Sequence, residues 1–304
     1  MNVLLVAEES AGIQVLRKIL DRGDPLPAVL TGAVEGRGAT VGTVAQQAGV
    51  EVLDPRLVRS ADFADWVRGH EIDLLLNVHS LFVIAEEVVA APRIGSFNLH
   101  PGPLPRYAGL NAPSWAIYHG ESRHGVTLHW MEPGIDTGAI AYQEEVEIAD
   151  DETGLSLSLK CIRSGVPLVA ELLETASEAP DRIPRRAQDL ADREYFGREA
   201  PNGGRIDWTR PAAEIGRFVR AADYSPFPSP WGQPATGAGG VELGVVKAAA
   251  TGEPAAAGPG TVGEPEGDGM RVAAADEWVL VQRVSREGRT MPAAEALETG
   301  AVLS

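Results

Sequence analysis

SFNLHPGPLPRYAGLNAPSWAIYHGESRHGVTLHWMEPGIDTGAIAYQ, residues 96–143, is the stretch on which the reading of this chain turns. It places Asn98 and His100 two residues apart at the end of a short apolar segment. A proline-stiffened loop, a helical stretch and an alternating strand follow. The strand leads to Asp136 within Pro133-Gly134-Ile135-Asp136-Thr137-Gly138. Next-but-one spacing on an extended segment sets Asn98 and His100 on one face. Acyl transfer to an amine needs donors for a developing oxyanion, a group that moves the amine's proton, and exclusion of water. An amide, an imidazole and a carboxylate can meet the first two needs. Taken singly, each has a plainer role: Asn98 can close a turn, His100 can be a loop histidine, and Asp136 suits a glycine turn.

Outward from this stretch, strands and helices alternate. Residues 2–7 (NVLLVA), 28–31, 50–53, 72–78 (IDLLLNV) and 96–99 are short apolar runs, as expected for strands buried on both faces. Helical patterns occupy 10–21, 43–48, 61–69 and 84–90 between them, with a glycine-rich loop at 32–42. This order predicts an α/β fold with a doubly wound, Rossmann-like, mainly parallel sheet. Residues 125–131 and 139–148 are expected as antiparallel strands around the Asp136 turn. A long helix is expected from 151–153 to about 176 with Leu155, Leu159, Ile162, Val166, Val169, Leu172 and Leu173 inward, interrupted or bent at Pro167. The turn after the first strand reads Ala-Glu-Glu-Ser-Ala-Gly, which lacks a dinucleotide fingerprint and sets two carboxylates where a pyrophosphate would lie.

After Pro180 comes a connector whose arginines alternate with acids, read as a solvated linker. From Arg205 the chain offers one helix (212–222) and a proline-rich irregular stretch (225–234). Short strands follow at 241–248, 260–263, 269–274 and 279–284, with a small-residue loop at 251–259. These predict a smaller β-rich, barrel-like C-terminal domain. The expected division is residues 1–180, a linker at 181–204, and residues 205–304.

Composition narrows the function. At 304 residues the chain suits two domains. A formal net charge of −17 argues against nucleic acid as a partner, and residues 205–304 hold 9 basic against 13 acidic side chains. The single Cys161 excludes an intrachain disulfide framework and reads as a buried structural thiol. There is no apolar run of membrane-spanning length, and the first ten residues carry acids where a signal peptide would carry Lys or Arg. A cytoplasmic protein with no membrane association is expected. His100, His119, His124 and His129 lack tight ligand spacing, so no metal is expected.

Several motifs occur in one order: Phe97-Asn98-Leu99-His100, Pro103-Leu104-Pro105-Arg106-Tyr107-Ala108-Gly109, Trp115, His119-Gly120-Glu121, Gly125-Val126-Thr127 and Ile135-Asp136-Thr137-Gly138. Together they resemble the folate-dependent formyltransferase family, which includes methionyl-tRNA, glycinamide ribonucleotide and amino-sugar formyltransferases. The stretch from Arg205 through Glu295 is similar to the smaller C-terminal domain of the tRNA and amino-sugar branches. The resemblance implies catalytic roles for Asn98, His100 and Asp136. It implies 10-formyltetrahydrofolate as co-substrate, held by Leu81, Phe82, Val83 and Ile84 after the fourth strand. Gly134, Ile135 and Gly138 would close that pocket. Gly-Pro-Leu-Pro at 102–105 and Ala108-Gly109 depart from the family pattern (Ser-Leu-Leu-Pro, then Arg-Gly), and His79 is an unexpected polar group.

The reading is an N-formyltransferase acting on a small-molecule amine (an amino sugar, an amino acid or a peptide-like specialised metabolite), with Tyr107, Asn111 and Trp115 expected to contact it. The alternatives are a methionyl-tRNA formyltransferase, a formyltetrahydrofolate hydrolase and a non-catalytic folate-binding module. The oligomeric state stays open, a homodimer included.

Overall fold

The computed structural model describes residues 1–32 and 38–304, so part of the expected 32–42 loop lies outside the described residues. Two compact units are formed. The first comprises Met1–Gly109, Gly125–Val146 and Leu159–Tyr195; the second comprises Leu110–His124, Glu147–Ser158 and Phe196–Ser304.

The strands of the first part of the chain are β1 (Val3–Ala7), β2 (Ala28–Leu30), β3 (Glu51–Leu53), β4 (Leu74–Val78), β5 (Gly95–His100), β6 (Ala108–Gly109), β7 (Arg123–Trp130) and β8 (Ile140–Glu147). Helices α1 (Glu9–Arg22), α2 (Val41–Gln47), α3 (Phe63–Gly69) and α4 (Glu86–Val89) connect the first five. Seven strands form one sheet in the order β3-β2-β1-β4-β5-β7-β8. β1 to β5 run parallel, and β7 returns antiparallel to β5. Every residue of β1, β2 and β4 is buried, as their apolar sequences, broken only by Asn77 in β4, lead one to expect. The order reverses between β1 and β4, the topological position at which open α/β sheets bind ligands beyond the carboxyl ends of their strands.

α5 (Ala112–His119) belongs to the second unit. The long helix α6 (Gly154–Glu178) runs without interruption through Pro167. Thr153 opens it by accepting from the Ser156 amide at 3.2 Å. Leu159, expected inward, is 40% exposed; Leu157 and Cys161 take the buried positions instead. A Cβ on Gly165 would lie 3.0–3.2 Å from Val126 and Leu99, so the missing side chain lets the helix lie close on the sheet.

In the second unit, after the short β9 (Tyr195–Phe196), α7 (Ala212–Ala221) packs Ile215, Phe218 and Val219 into an apolar core. That core is closed by β10 (Ala235–Ala238), β11 (Val241–Pro254), β12 (Val262–Glu266), β13 (Gly269–Ala273), β14 (Glu277–Arg286) and β15 (Arg289–Pro292). These six form one antiparallel sheet, ordered β10-β11-β14-β13-β12 with β15 also on β14. The expected loop at 251–259 begins later than its small residues suggested. Thr251 Oγ1 donates to the Trp278 carbonyl at 2.9 Å and Pro254 still pairs with Glu277, across an irregularity at Gly252 with φ of 75°.

Candidate active site

The parallel register aligns Asn77 of β4 with Asn98 of β5, and the antiparallel register aligns Asn98 with His129 of β7. Three polar side chains therefore stand in a row across three strands, near their carboxyl ends in the case of β4 and β5. Two residues further along β5, His100 pairs with Thr127 of β7. The sheet itself builds the site.

Asn77 is buried, and its Nδ2 donates to Asn98 Oδ1 at 2.9 Å. Anchored by its oxygen, the Asn98 amide turns its nitrogen outward. There it donates to His129 Nε2 at 3.1 Å and to Asp136 Oδ1 at 3.3 Å. His129 Nδ1 lies 2.7 Å from the Trp130 carbonyl, and its Nε2 also lies 3.4 Å from Asp136 Oδ1, so the ring stands beside both the Asn98 amide and the carboxylate. His100 is almost fully buried between Asp136 Oδ2, 3.5 Å from Nδ1, and the Tyr107 carbonyl, 2.8 Å from Nε2. Both of its ring nitrogens are engaged.

Asp136 sits in a left-handed backbone conformation (φ 56°) that swings its carboxylate back to the strand ends. The Gly109 amide donates to its Oδ2 at 2.8 Å. Burial works to raise the Asp136 pKa, but His100, His129 and the Gly109 amide outweigh it and hold the carboxyl well below the usual carboxylate range. Burial pushes the His100 pKa below its ordinary value, with Asp136 and the Tyr107 carbonyl opposing. The group is thus an ionised carboxylate beside a buried imidazole, which lies between that carboxylate and the Tyr107 carbonyl, and an amide donor.

The turn around Asp136 is held from outside the motif. Gln188 Nε2 donates to the carbonyls of Asp136, at 2.9 Å, and Gly138, at 2.6 Å. Arg193 donates to the Ile135 carbonyl at 3.0 Å. A Cβ on Gly138 would lie 1.9 Å from the Trp130 carbonyl oxygen, so only glycine allows this close approach. The stretch expected as solvated linker is, in this part, a clamp: Ile183 is buried, and Arg185 stacks its guanidinium 3.5 Å from the Trp130 ring centre. Gly102 has a local reason as well. A Cβ there would meet His100 Nε2 at 2.6 Å and the Tyr107 carbonyl oxygen at 2.9 Å.

Of the loop after β4, Leu81 (66%) and Val83 (68%) are exposed, as is Ile135 (46%) in the Asp136 turn. Ile84 is buried in the core, where Phe82 packs with the Arg59 guanidinium over its ring. Gly134 carries φ of 108°. Tyr107 is 1% exposed, so what it offers the site is its carbonyl rather than its ring. In the second unit, Asn111 has φ of 57° at the start of α5, and Trp115 stacks on Phe196 with ring centres 4.8 Å apart. Trp231 meets the same indole edge-on at 4.9 Å, and Trp115 Nε1 is buried without a hydrogen-bond partner. Asn77, His129, Gln188 and Arg193 were not among the residues expected from sequence. Among the described residues, no group of three His, Cys, Asp or Glu is placed to hold a metal, and no helix is long and apolar enough to cross a membrane.

Residues 1–168 match the family described as Formyl transferase, and residues 200–300 match Formyl transferase, C-terminal domain. The chain belongs to the formyl transferase family. A methionyl-tRNA formyltransferase of Bradyrhizobium sp. (strain ORS 278) is 27% identical over 309 residues, spanning 98% of this chain and 96% of the relative. The methionyl-tRNA formyltransferase of Agathobacter rectalis is 29% identical over 237 residues, 75% of each chain. Among solved structures, the Helicobacter canadensis N-formyltransferase in complex with folinic acid and dTDP-3-aminofucose shares the fold with a TM-score of 0.70, at 19% identity over 92% of this chain and 98% of that one. HypX from Aquifex aeolicus in complex with tetrahydrofolic acid superimposes with a TM-score of 0.66 at 19% identity, covering 97% of this chain and 46% of HypX. Within this family, the fold expected from sequence, a mainly parallel Rossmann-like sheet followed by a smaller antiparallel β-rich part, is the fold observed.

Proposed function

We propose that the chain is an N-formyltransferase that moves the formyl group of 10-formyltetrahydrofolate to the amine of a small molecule such as an amino sugar, an amino acid or a peptide-like metabolite. Residues 1–180 would carry the chemistry, with 181–204 linking to a C-terminal domain at 205–304. The observation that carries the reaction type is the Asn98 amide, anchored by Asn77 through its oxygen so that its N–H groups face Asp136 and His129. In this reading the N–H that meets Asp136 at 3.3 Å, the longer of the two contacts, turns to the oxyanion formed when the amine attacks the formyl carbon. His100, pinned between ionised Asp136 and the Tyr107 carbonyl, helps exclude water. Exposed Leu81, Val83 and Ile135 fit the apolar faces of a pterin, with main-chain groups of 81–84, Gly134 and Gly138 reading its edge. Tyr107, Asn111 and Trp115 are proposed on the acceptor side, Tyr107 through its carbonyl.

The acceptor class rests on charge. A chain of net charge −17 is poorly suited to a polyanion, and residues 205–304 hold 9 basic against 13 acidic side chains. A methionyl-tRNA formyltransferase is the second reading, favoured by the name of the Bradyrhizobium relative, which aligns over 98% of this chain. Incubation with 10-formyltetrahydrofolate and a panel of amines, charged initiator tRNA included, separates the two. A formylated small amine supports the first reading. Formyl-methionyl-tRNA as the sole product supports the second, and formate release without any acceptor supports hydrolysis.

A further inference from the structure

Residues 184–195, all within the first unit, are bonded to the Asp136 turn with little apolar burial. Leu190 and Tyr195 are each about half exposed. Among these described residues, Gln188 and Arg193 alone are drawn in from full exposure. Both inward side chains reach the same turn. Gln188 Nε2 donates to the carbonyls of Asp136 at 2.9 Å and Gly138 at 2.6 Å, and Arg193 Nη2 donates to that of Ile135 at 3.0 Å. The Tyr195 ring backs Arg193, its centre 5.0 Å from the guanidinium carbon. Hydrogen bonds, rather than a core, hold this stretch to the site.

The same stretch grips the second loop of the site. The Ala108 amide donates to the Glu194 carbonyl at 2.8 Å, and Arg106 Nε lies 3.2 Å from the Glu194 carboxylate. Near its start, the main chains of Arg186 and Ile140, the first residue of β8, exchange hydrogen bonds of 2.8 and 3.0 Å. The loop before β6 supplies the Tyr107 carbonyl to His100, and Gly109 supplies its amide to Asp136 from the other turn. Residues 186–194 therefore set how far apart the two loops stand. Gln188 Oε1 and Arg193 Nε are buried without partners. Each such atom costs stability, so stabilising the fold does not by itself account for this strap.

We propose that Gln188 and Arg193 are positioning residues with separate tasks; this rests on the formyl transfer proposed above. Gln188 fixes the main chain of Asp136 itself, and so holds the carboxylate against His100 and the Gly109 amide. It acts on turnover. Gly138 does not depend on it, being packed against the Trp130 carbonyl, while the next residue's carbonyl accepts from the Trp130 amide at 2.9 Å. Arg193 fixes the Ile135 carbonyl, and so holds the exposed Ile135 side chain on the face proposed for the pterin. It acts on folate affinity.

Gln188→Met and Arg193→Met keep the length of the side chain and remove its donors, and Arg193→Lys restores one donor. Two measurements need no acceptor. In calorimetric titration with folinic acid, Arg193→Met should bind about three- to tenfold more weakly than wild type. Arg193→Lys and Gln188→Met should stay within about twofold. Hydrogen exchange of the Gly109 amide, read by NMR, reports whether the Asp136 carboxylate keeps its place. It should speed up about tenfold in Gln188→Met and stay unchanged in Arg193→Met. The third measurement is kcat at saturating folate with the amine found by the panel. Gln188→Met should lose about three- to tenfold, and Arg193→Met should stay within about twofold of wild type. A strap that merely stabilised the fold would make both variants lose affinity and turnover together. That result, or no change in any measurement, overturns the proposal. A wild type that binds no folinic acid, or formylates no amine, overturns the reading of function instead, and exchange at Gly109 then decides the role of Gln188 alone.

Discussion

Replacing Asn77 with leucine tests whether the Asn98 amide is oriented from behind. The change removes the 2.9 Å hydrogen bond and leaves Asn98 Oδ1 without that donor. It also removes Asn77 Oδ1, which is buried with no partner. Each buried, unsatisfied group costs about 1–3 kcal/mol, so the gain and the loss offset and stability should change by less than about 1 kcal/mol. Activity has no such compensation. Asn98 keeps its contacts to His129 and Asp136, which still favour the productive orientation, so only the net value of one hydrogen bond is lost from preorganisation. That is about 1 kcal/mol, or roughly three- to tenfold in kcat. Deleting the donor outright in Asn98→Ala should cost about 10²–10³ in kcat. The assay is steady-state transfer to the acceptor found by the panel, with denaturant unfolding alongside. In the Asn98→Ala background the Asn77→Leu effect should vanish. An equal loss in both backgrounds, or no loss in either, refutes the orienting role.

Gly138→Ala should destabilise the protein by at least about 2 kcal/mol in urea unfolding, because its methyl would meet the Trp130 carbonyl oxygen, a backbone atom, at 1.9 Å; wild-type stability would contradict the packing. Gln188→Ala should lower kcat several-fold and cost about 1–2 kcal/mol, since it frees two carbonyls of the Asp136 turn; kinetics and unfolding on the same preparation check it. Acid should weaken the fold in two stages. The His100 pKa is lowered on folding, so below its ordinary value of about 6.5 the unfolded chain binds the proton more readily and stability falls with pH. The Asp136 pKa is also lowered, so its contribution is complete above about pH 4 and is lost as pH falls further. Asp136→Asn should flatten the second stage in pH-dependent unfolding; an unchanged slope there would contradict the ionised carboxylate.

Much of the first unit's architecture was legible because it rests on local pattern. Short apolar runs such as VLLVA read as strands covered on both faces, and their alternation with helices leaves few topologies. Asn98 and His100 share a face for the simple reason that a strand has a period of two. What was not legible depends on pairing between distant strands. His129 lies on an ordinary alternating strand and becomes part of the site only through the β5–β7 register. Asn77 did leave a signal, an amide inside a fully buried apolar run, which calls for a specific partner. Gln188 left none: it lies 52 residues from Asp136 in a segment whose composition suggests solvent. Leu159 followed the helical period but is left 40% exposed, and β10, Ala-Thr-Gly-Ala, has no periodicity by which to find it. The short edge strands exist because β11 and β14 offer them partners.

The most direct test follows the formyl carbon. Carbon-14-labelled 10-formyltetrahydrofolate is incubated with the protein and one mixture of amino sugars, amino acids and charged initiator tRNA, and the label is traced by chromatography. The account predicts label in a small-molecule formamide, none in RNA, and loss of the signal in Asn98→Ala. Label in the tRNA fraction alone, or an undiminished rate in Asn98→Ala, would contradict it.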